Sequence, residues 1–523
     1  MSSGAGPQAA PAPAPADAAP ALPPDRFRWI TDPLDHWAAA APERTAAADP
    51  LALRSYAGLQ AEVEALAALF RAERVGAGDR VLILLENCLA GAAAILAAGR
   101  LRAWAVPLNA RLSAREVDAI RAHCRPRVSL YTAGVSPEAA AHAARHGAGT
   151  RPALEPLGAV LAVGGEAAPE PAAEGPAMQV AALIYTTGTT AAPKGVMLTH
   201  DNLMFIAGRS SQQRGVTAAD RVYDVLPMSH VFGLSSVLLG SLYQGARLDL
   251  VPRFEPKAVA RALAEDGVTV FQGVPQMYAR LIAGVGRGAT LPAPKLRYIS
   301  AGGAPLEPDL KARVEALWSL PLHNGYGLTE TSPTVSTTEP GRPAVDESTG
   351  PPLPDVEVRI AGPAGEALPA EAVGEIWVRG RLVMKGYYRD PAQTAAAVTP
   401  EGWFRTGDLG RLTAGGDLYV VGRLKELIIR SGFNVYPPEV EAVVASHPQV
   451  ALAAVLGRKV PGNEEVVAFV QPPPGGAIDL AGLRAFVAPR LAPYKRPSDY
   501  VVLAELPASA TGKLLKHKLR DLL

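Results

Sequence analysis

The hydrophobic period of this chain switches repeatedly between helix and strand, and that switching restricts the fold more than any other feature. Leu59, Val63, Leu66, Leu69 and Phe70 recur at helical spacing. RVLILL (80–85) is then an unbroken apolar run, as expected of a strand covered on both faces. A helix is expected after Asn87, and AWAVPL (103–108) and RVSLYT (127–132) read as further strands. Ser113 with Glu116 three residues on is a capping box, which predicts a helix start. The beat returns with ARLDLV (246–251), a helix over Pro256 to Glu265, VTVF (268–271) and LRYIS (296–300). Strand–helix alternation of this kind implies an α/β core with much parallel sheet. No fixed-period repeat is present.

Past Pro351 the texture changes to short strands between Gly/Pro turns, as in VEVRI, GEIWVRG and DLYVV, and predicts a β-rich subdomain. A closing unit of about 100 residues, a common domain size, then carries a helix start at NVYPPEVE and strands at VALAAVLG, EEVVAFVQ and DYVVLAEL. The expected organisation is a large N-terminal domain of helix-packed β-sheets plus the β-rich subdomain over 29–421. A small mobile α+β C-terminal domain follows over 422–523. Residues 1–28 are expected to be a disordered Ala/Pro-rich leader, with too little apolar surface to offset the cost of ordering.

At 523 residues the chain is too long for one ordinary core. The net charge of +1 gives no global field to attract nucleic acid or an anionic membrane. Two cysteines, Cys88 and Cys124, do not make a disulfide framework and suit a reducing compartment. No apolar run reaches the roughly 18 residues of a membrane span, and no secretory pattern opens the chain. A cytoplasmic protein is expected.

The stretch Thr186-Thr187-Gly188-Thr189-Thr190-Ala191-Ala192-Pro193-Lys194 joins small flexible residues and hydroxyls to one cation. Glycine lets the backbone approach an anion, and lysine is a point charge for phosphate oxygens. A P-loop is excluded, because the lysine must follow a glycine and precede a hydroxyl, whereas Lys194 lies between Pro193 and Gly195. The nine histidines form no zinc pattern.

This loop resembles the signature of the adenylate-forming superfamily, which includes acyl-CoA synthetases, adenylation domains of peptide synthetases, and luciferases. Further matching stretches occur in family order: YGLTETSP from Tyr326, GWFRTGDLG from Gly402, GRLKELIIRSGFNVYPPEVE from Gly422, and TGKLLKHKLR from Thr511. The resemblance covers nearly everything after residue 28. It implies a carboxylate attacking the α-phosphate of ATP, and then coenzyme A attacking the acyl-adenylate.

By the same resemblance Thr186, Thr187, Gly188, Thr189, Thr190 and Lys194 wrap the β- and γ-phosphates, and Thr186 and Glu330 hold Mg²⁺, a hard ion suited to oxygen ligands. Gly303, Ala304, Asn324, Gly325 and Tyr326 surround the adenine, and Thr329 meets the α-phosphate. Asp408 takes the ribose hydroxyls, and Arg423 reaches the ribose or phosphate. His230 lies beside the acyl carboxylate, and Lys425, Ser431 and Gly432 serve CoA. Lys513 bridges carboxylate and α-phosphate during adenylation. Two unit charges about 4 Å apart interact by roughly 4 kcal/mol at an effective dielectric of 20. Read singly, Glu330 is a loop carboxylate, His230 a structural histidine and Lys513 a solvated cation.

Three positions depart from the family pattern: Thr187 stands for serine, Ala191 for glycine, and Gly422 for aspartate. The acyl pocket is expected along SHVFGLSS, FQGVPQM, SAGGA, HNGYG and Val335, with Phe232, Phe271 and Val274 as its apolar wall. No cation falls within those stretches, though Arg342 lies nearby in sequence, so a fatty or aromatic monocarboxylate is expected, with malonate and similar diacids left open. Two rival readings are delivery of the acyl group to a carrier protein in trans and a non-catalytic relative.

Overall fold

The computed structural model describes residues 21–164, 168–186, 193–285, 290–461, 463–508 and 514–523. Two large sheets carry the N-terminal part. One has seven strands in the order Gly386–Tyr387, Lys194–Thr199, Val180–Thr186, Trp104–Asn109, Arg80–Leu85, Val128–Tyr131, Val160–Val163. The other has eight, with Thr334–Thr337, Leu322–Gly327, Tyr298–Gly302, Val270–Gly273, Arg221–Asp224 and Arg247–Leu250 running from one edge. All of these pairs are parallel except the outermost, between Leu322–Gly327 and Thr334–Thr337. One core cluster joins the two sheets through the helices Leu89–Arg100 and His200–Gln213. Leu89–Arg100 is buried from Leu89 through Gly99, as an apolar-all-round helix must be. Its small residues permit that. A Cβ on Gly91 would stand 2.8 Å from Leu85 Cδ1.

The expected strands and helices are present. Arg80–Leu85 is buried at every residue, the capping box at Ser113 and Glu116 forms, and the helix Pro256–Glu265 has the expected bounds. The β-rich part is a four-stranded sheet of Glu357–Ala361, Gly374–Arg379, Phe404–Leu412 and Leu418–Arg423. That last strand runs across the boundary expected at 421/422. A three-stranded sheet, Leu452–Val460, Asn463–Gln471 and Asp499–Val502, packs against the helix Pro437–Ala445 around its own core cluster.

The end of the expected leader differs from the unstructured reading, because residues 22–28 are docked. Phe27 is buried, Leu22 N donates to Gln244 Oε1 at 2.7 Å, and Tyr243 donates its hydroxyl to Pro23 O at 2.8 Å. Asp25 pairs with Arg209 and Arg381 at 3.1 and 2.6 Å. The aromatic and aspartate supply the burial and charge that the Ala/Pro tract lacks.

Candidate active site

The C-terminal ends of the parallel strands of the eight-stranded sheet, and the loops leaving them, carry eight of the expected residues: His230, Gly303, Ala304, Asn324, Gly325, Tyr326, Thr329 and Glu330. This is where open α/β sheets place ligands. Gly302 and Gly325 face each other in register across neighbouring strands. Gly303 follows at φ +80°, a backbone that glycine adopts freely, and Ala304 is half-buried beside it. Asn324 is buried, but its carboxamide donates to Glu347 O and Ser348 O at 3.0 and 3.3 Å. What it presents to a ligand is therefore mainly backbone.

The strand then turns through Thr329–Thr331, a short 3₁₀ segment with Thr329 buried. Glu330 O accepts from Met384 N at 2.9 Å, which ties the turn to the seven-stranded sheet's edge. Lys194, the cross-strand partner of Thr186, lies 3.6 Å from Glu330 Oε1. Its ammonium also sits 3.8 Å from the centre of the Tyr387 ring, while Tyr387 donates its hydroxyl to Glu330 Oε1 at 2.9 Å. Burial pulls Lys194 below its usual range and nearby Lys425 adds to that, while Glu330 opposes it. Burial and then Glu330 push the Tyr387 phenol up. Tyr387 was not foreseen. The only available signal was GYYRD (386–390), which reads as an ordinary strand and turn.

Asp408 is 8% exposed and pairs in register with Arg423, with Oδ1 3.3 Å from Arg423 Nε. Its Oδ2 accepts from the Tyr326 hydroxyl at 2.8 Å. Burial first, then Asp408, pushes Tyr326 well up, so it stays a neutral donor. The carboxylate is thus fixed from both sides, with Gly407 at φ +72° making the bend before it. Tyr326 thereby holds a definite orientation, as the flat face expected for a base requires.

His230 is exposed before the π-helical segment Phe232–Leu239, and Phe232 N donates to its Nδ1 at 3.3 Å. Phe232 lies against Gly302, where a Cβ would come 3.2 Å from its ring, and a Cβ on Gly303 would meet Val274 at 3.8 Å. Two residues expected to line the acyl pocket are not at this mouth. Phe271 is fully buried against Tyr278 and Tyr223, and Val335 is fully buried with Phe205, Ile206 and Ile376. Both have side chains on core-facing sides of their strands. Arg342 pairs with Asp417 at 2.6 Å.

In the C-terminal part Lys425 is exposed in the turn Leu424–Glu426. Ser431 (φ +52°) and Gly432 (φ +82°) form the two-residue turn between Ile428–Arg430 and Phe433–Val435. Positive φ at both centres is a hairpin requirement, so Gly432 has a backbone reason independent of any ligand. Thr187, Gly188, Thr189, Thr190, Ala191 and Lys513 lie outside the described residues. Leu514 bridges to Ala508, and Lys516 lies 2.8 Å from both Glu426 and Glu441. Lys516, three residues beyond Lys513, is therefore anchored to the turn after Arg423.

Among the described residues no three His, Cys, Asp or Glu side chains cluster as a metal cage. Mg²⁺ needs none, because it takes one or two carboxylates and completes its shell with water and phosphate oxygens. Glu330 and the Thr186 hydroxyl are hard oxygen donors that fit it. Among the described residues no helix is long and apolar enough to cross a membrane.

Lys194 and Glu330 thus meet where the two large sheets come together, and Asp408 is held on the four-stranded sheet beside Tyr326, groups able to take the phosphates and ribose of a nucleotide. Residues 34–388 match the AMP-binding enzyme family and 439–513 its C-terminal domain. The feruloyl-CoA synthase of an Amycolatopsis species is 37% identical over 89% of this chain and 93% of its own. The indoleacetate–CoA ligase of Aromatoleum aromaticum is 35% identical over 94% and 98%. The o-succinylbenzoate CoA synthetase of Bacillus subtilis, solved with its acyl-adenylate intermediate, has TM-score 0.81 and 32% identity over 94% of this chain and 98% of its own. The chain belongs to the AMP-binding enzyme family, in its acid–CoA ligase branch.

Proposed function

We propose that this protein joins a fatty or aromatic monocarboxylate to coenzyme A in two steps, through an acyl-adenylate. The observation that carries this is the meeting of Lys194 and Glu330, from distant parts of the chain, at 3.6 Å. A lysine for polyphosphate and a carboxylate for a divalent ion belong together where MgATP binds.

In this reading Thr186 and Lys194, with the loop between them, hold the β- and γ-phosphates. Glu330 and Thr186 hold Mg²⁺, which supplies charge neutralisation to the leaving pyrophosphate. Asp408 accepts from the ribose hydroxyls in the direction Tyr326 and Arg423 fix, and the backbone of Asn324, Gly325, Gly303 and Ala304 frames the base beside Tyr326. Thr329 donates to the α-phosphate. His230 stands by the acyl carboxylate, and Lys513 cancels charge between that carboxylate and the α-phosphate as they approach. The division at 421/422 then has a purpose. The turn Leu424–Glu426 swings the small domain, withdrawing Lys513 and presenting Lys425, Ser431 and Gly432 to CoA. Gly422, just before that turn, is paired with Leu409 in the strand ladder, and the atoms nearest to where its Cβ would stand belong to Pro438 and Tyr436, at 3.6 Å or more. The CoA ligases among its relatives favour CoA over a carrier protein as acceptor.

The test is ATP–pyrophosphate exchange across a panel of fatty and aromatic acids, followed by acyl-CoA formation once CoA is added. Exchange with at least one acid and thioester with free CoA are expected. Silence across the panel, or exchange without thioester, defeats the reading.

A further inference from the structure

Glu330 and Lys194 come from different sheets, and one short piece of chain, 381–388, is bonded to the surroundings of both. On the Glu330 side, Leu382 O accepts from Ser332 Oγ at 2.8 Å, and Met384 N donates to Glu330 O at 2.9 Å. On the Lys194 side, Lys385 N donates to Met197 O at 3.0 Å and Tyr388 N to Gly195 O at 2.8 Å, which lays the piece along the strand Lys194–Thr199. Between these contacts the Tyr387 hydroxyl returns to Glu330. The segment is a splint across the pair. Lys194 is also held by its ladder pairing with Thr186. Glu330 stands on a short turn with no such ladder, so its position depends more on the splint.

The outer end of the splint is held by charge. Arg381 is gripped by Asp201 of the helix His200–Gln213 at 2.8 and 3.1 Å, and by Asp25 at 2.6 Å. Asp201 is shared with Arg28, and Asp25 with Arg209 of the same helix. Asn202 donates to Arg381 O and Val383 O at 2.6 and 3.1 Å. Partly exposed ion pairs are weak singly and gain weight in networks. Here Asp25 and Arg28 reach Arg381 and its partner from the far N-terminal segment 22–28. That segment is seated closely on the helix. Pro24 O lies over Gly208, where a Cβ would stand only 2.3 Å from it, and Phe27 meets Tyr243 with ring centroids 4.9 Å apart. Glycine inside a helix is unfavourable relative to alanine, and this close approach gives Gly208 its reason.

We propose that the N-terminal segment 22–28 is a strap that belongs to the MgATP site. Asp25 and Arg28 are positioning residues: through Arg381 and Asp201 they hold 381–388 where it sets Glu330 against Lys194. The proposal rests on the reading of that pair given above. With the strap lifted, Arg381 loses one of its two carboxylates and the splint loosens at its outer end. The loss falls on Glu330, and therefore on the metal, while Lys194 keeps its place in the ladder.

ATP binding to the full-length protein is titrated with and without Mg²⁺, and thioester formation from supplied acyl-adenylate and CoA is followed alongside. Gly208→Ala keeps every charged group and suits a helix, yet collides with Pro24 O. By lifting the whole strap, and with it two ion pairs, it should reduce the metal's enhancement of ATP binding about tenfold. Asp25→Asn should reduce it about threefold, the range of one partly exposed ion pair. Metal-free ATP binding and thioester formation should stay at the wild-type level in both. Asp25→Asn should add nothing in an Arg381→Gln background, because it acts through that arginine. An unchanged enhancement in Gly208→Ala, a loss shared equally by metal-free binding and thioester formation, or additive effects of Asp25→Asn and Arg381→Gln overturns the proposal while leaving the ligase reading intact. Wild-type protein whose ATP binding ignores Mg²⁺ overturns both.

Discussion

The nucleotide-facing edge of the large domain and the small C-terminal domain handle their polar groups in opposite ways. At the edge, Asp408 is nearly buried and held from two sides, and Glu330 is met by both Lys194 and Tyr387. In the small domain Lys425, Ser431 and Gly432 lie exposed on turns. Its buried ion pairs, those of Lys516, tie the domain to itself. The first region is preorganised, so little rearrangement is needed when charge develops. The second displays groups that act only when the domain is correctly placed. Under the proposed function the difference means that the large domain supplies a fixed nucleotide site, while each half-reaction needs the small domain in its own position, with Lys513 presented for adenylation and Lys425, Ser431 and Gly432 for thioester formation.

The strongest challenge to this contrast is Lys513→Ala. Adenylation should fall at least a hundredfold, about 3 kcal/mol, while thioester formation from supplied acyl-adenylate persists. Equal loss in both half-reactions, measured separately, would remove the idea of a moving domain. Asp408→Asn comes next. Weakening a charge-assisted pair costs about 2 kcal/mol, so the KM for ATP should rise about thirtyfold, with the KM for CoA unmoved.

Tyr387→Phe keeps the ring beneath Lys194 and removes the hydrogen bond to Glu330. Titration of ATP binding with and without Mg²⁺ should show the metal's enhancement reduced about tenfold, the low end of what a hydrogen bond to a charged group is worth. Metal-free binding should stay close to wild type. Loss of both alike would make Tyr387 a packing residue.

The smallest effect tests the boundary between the two regions. Half-buried Glu307 of the large domain is pushed up to about 7, first by burial and then by Glu441 of the small domain and Glu347. A raised carboxyl contributes stability below its unfolded pKa, and that contribution is lost as pH rises through about 7. Glu307→Gln should therefore match wild type near pH 5 and exceed it by about 1 kcal/mol at pH 8, after allowance for solvent screening. Denaturant unfolding at the two values decides it. No gain at pH 8 means the two carboxylates do not meet in solution.

Much of the fold was legible in the residues. RVLILL had to be a covered strand, and Ser113 with Glu116 had to start a helix, because both signals are local. Motif order likewise pointed to Lys194, Glu330, Asp408 and Arg423 as one site, and the structure brings them to one edge in two close pairs. Phe271 and Val335 were misplaced because apolar character says only that a side chain is buried, not on which side of a strand. Tyr387 was missed for a related reason. A tyrosine in a short strand carries no mark of what it will face.

The sequence by itself determined the alternation of elements, the family and the kinds of chemistry available, since periodicity, caps and spacing act over a few residues. Tertiary structure alone decided that Tyr387 meets Glu330 and that Tyr326 steers Asp408. Those outcomes depend on strand register and on which faces pack together, and both are set by burial summed over the whole chain.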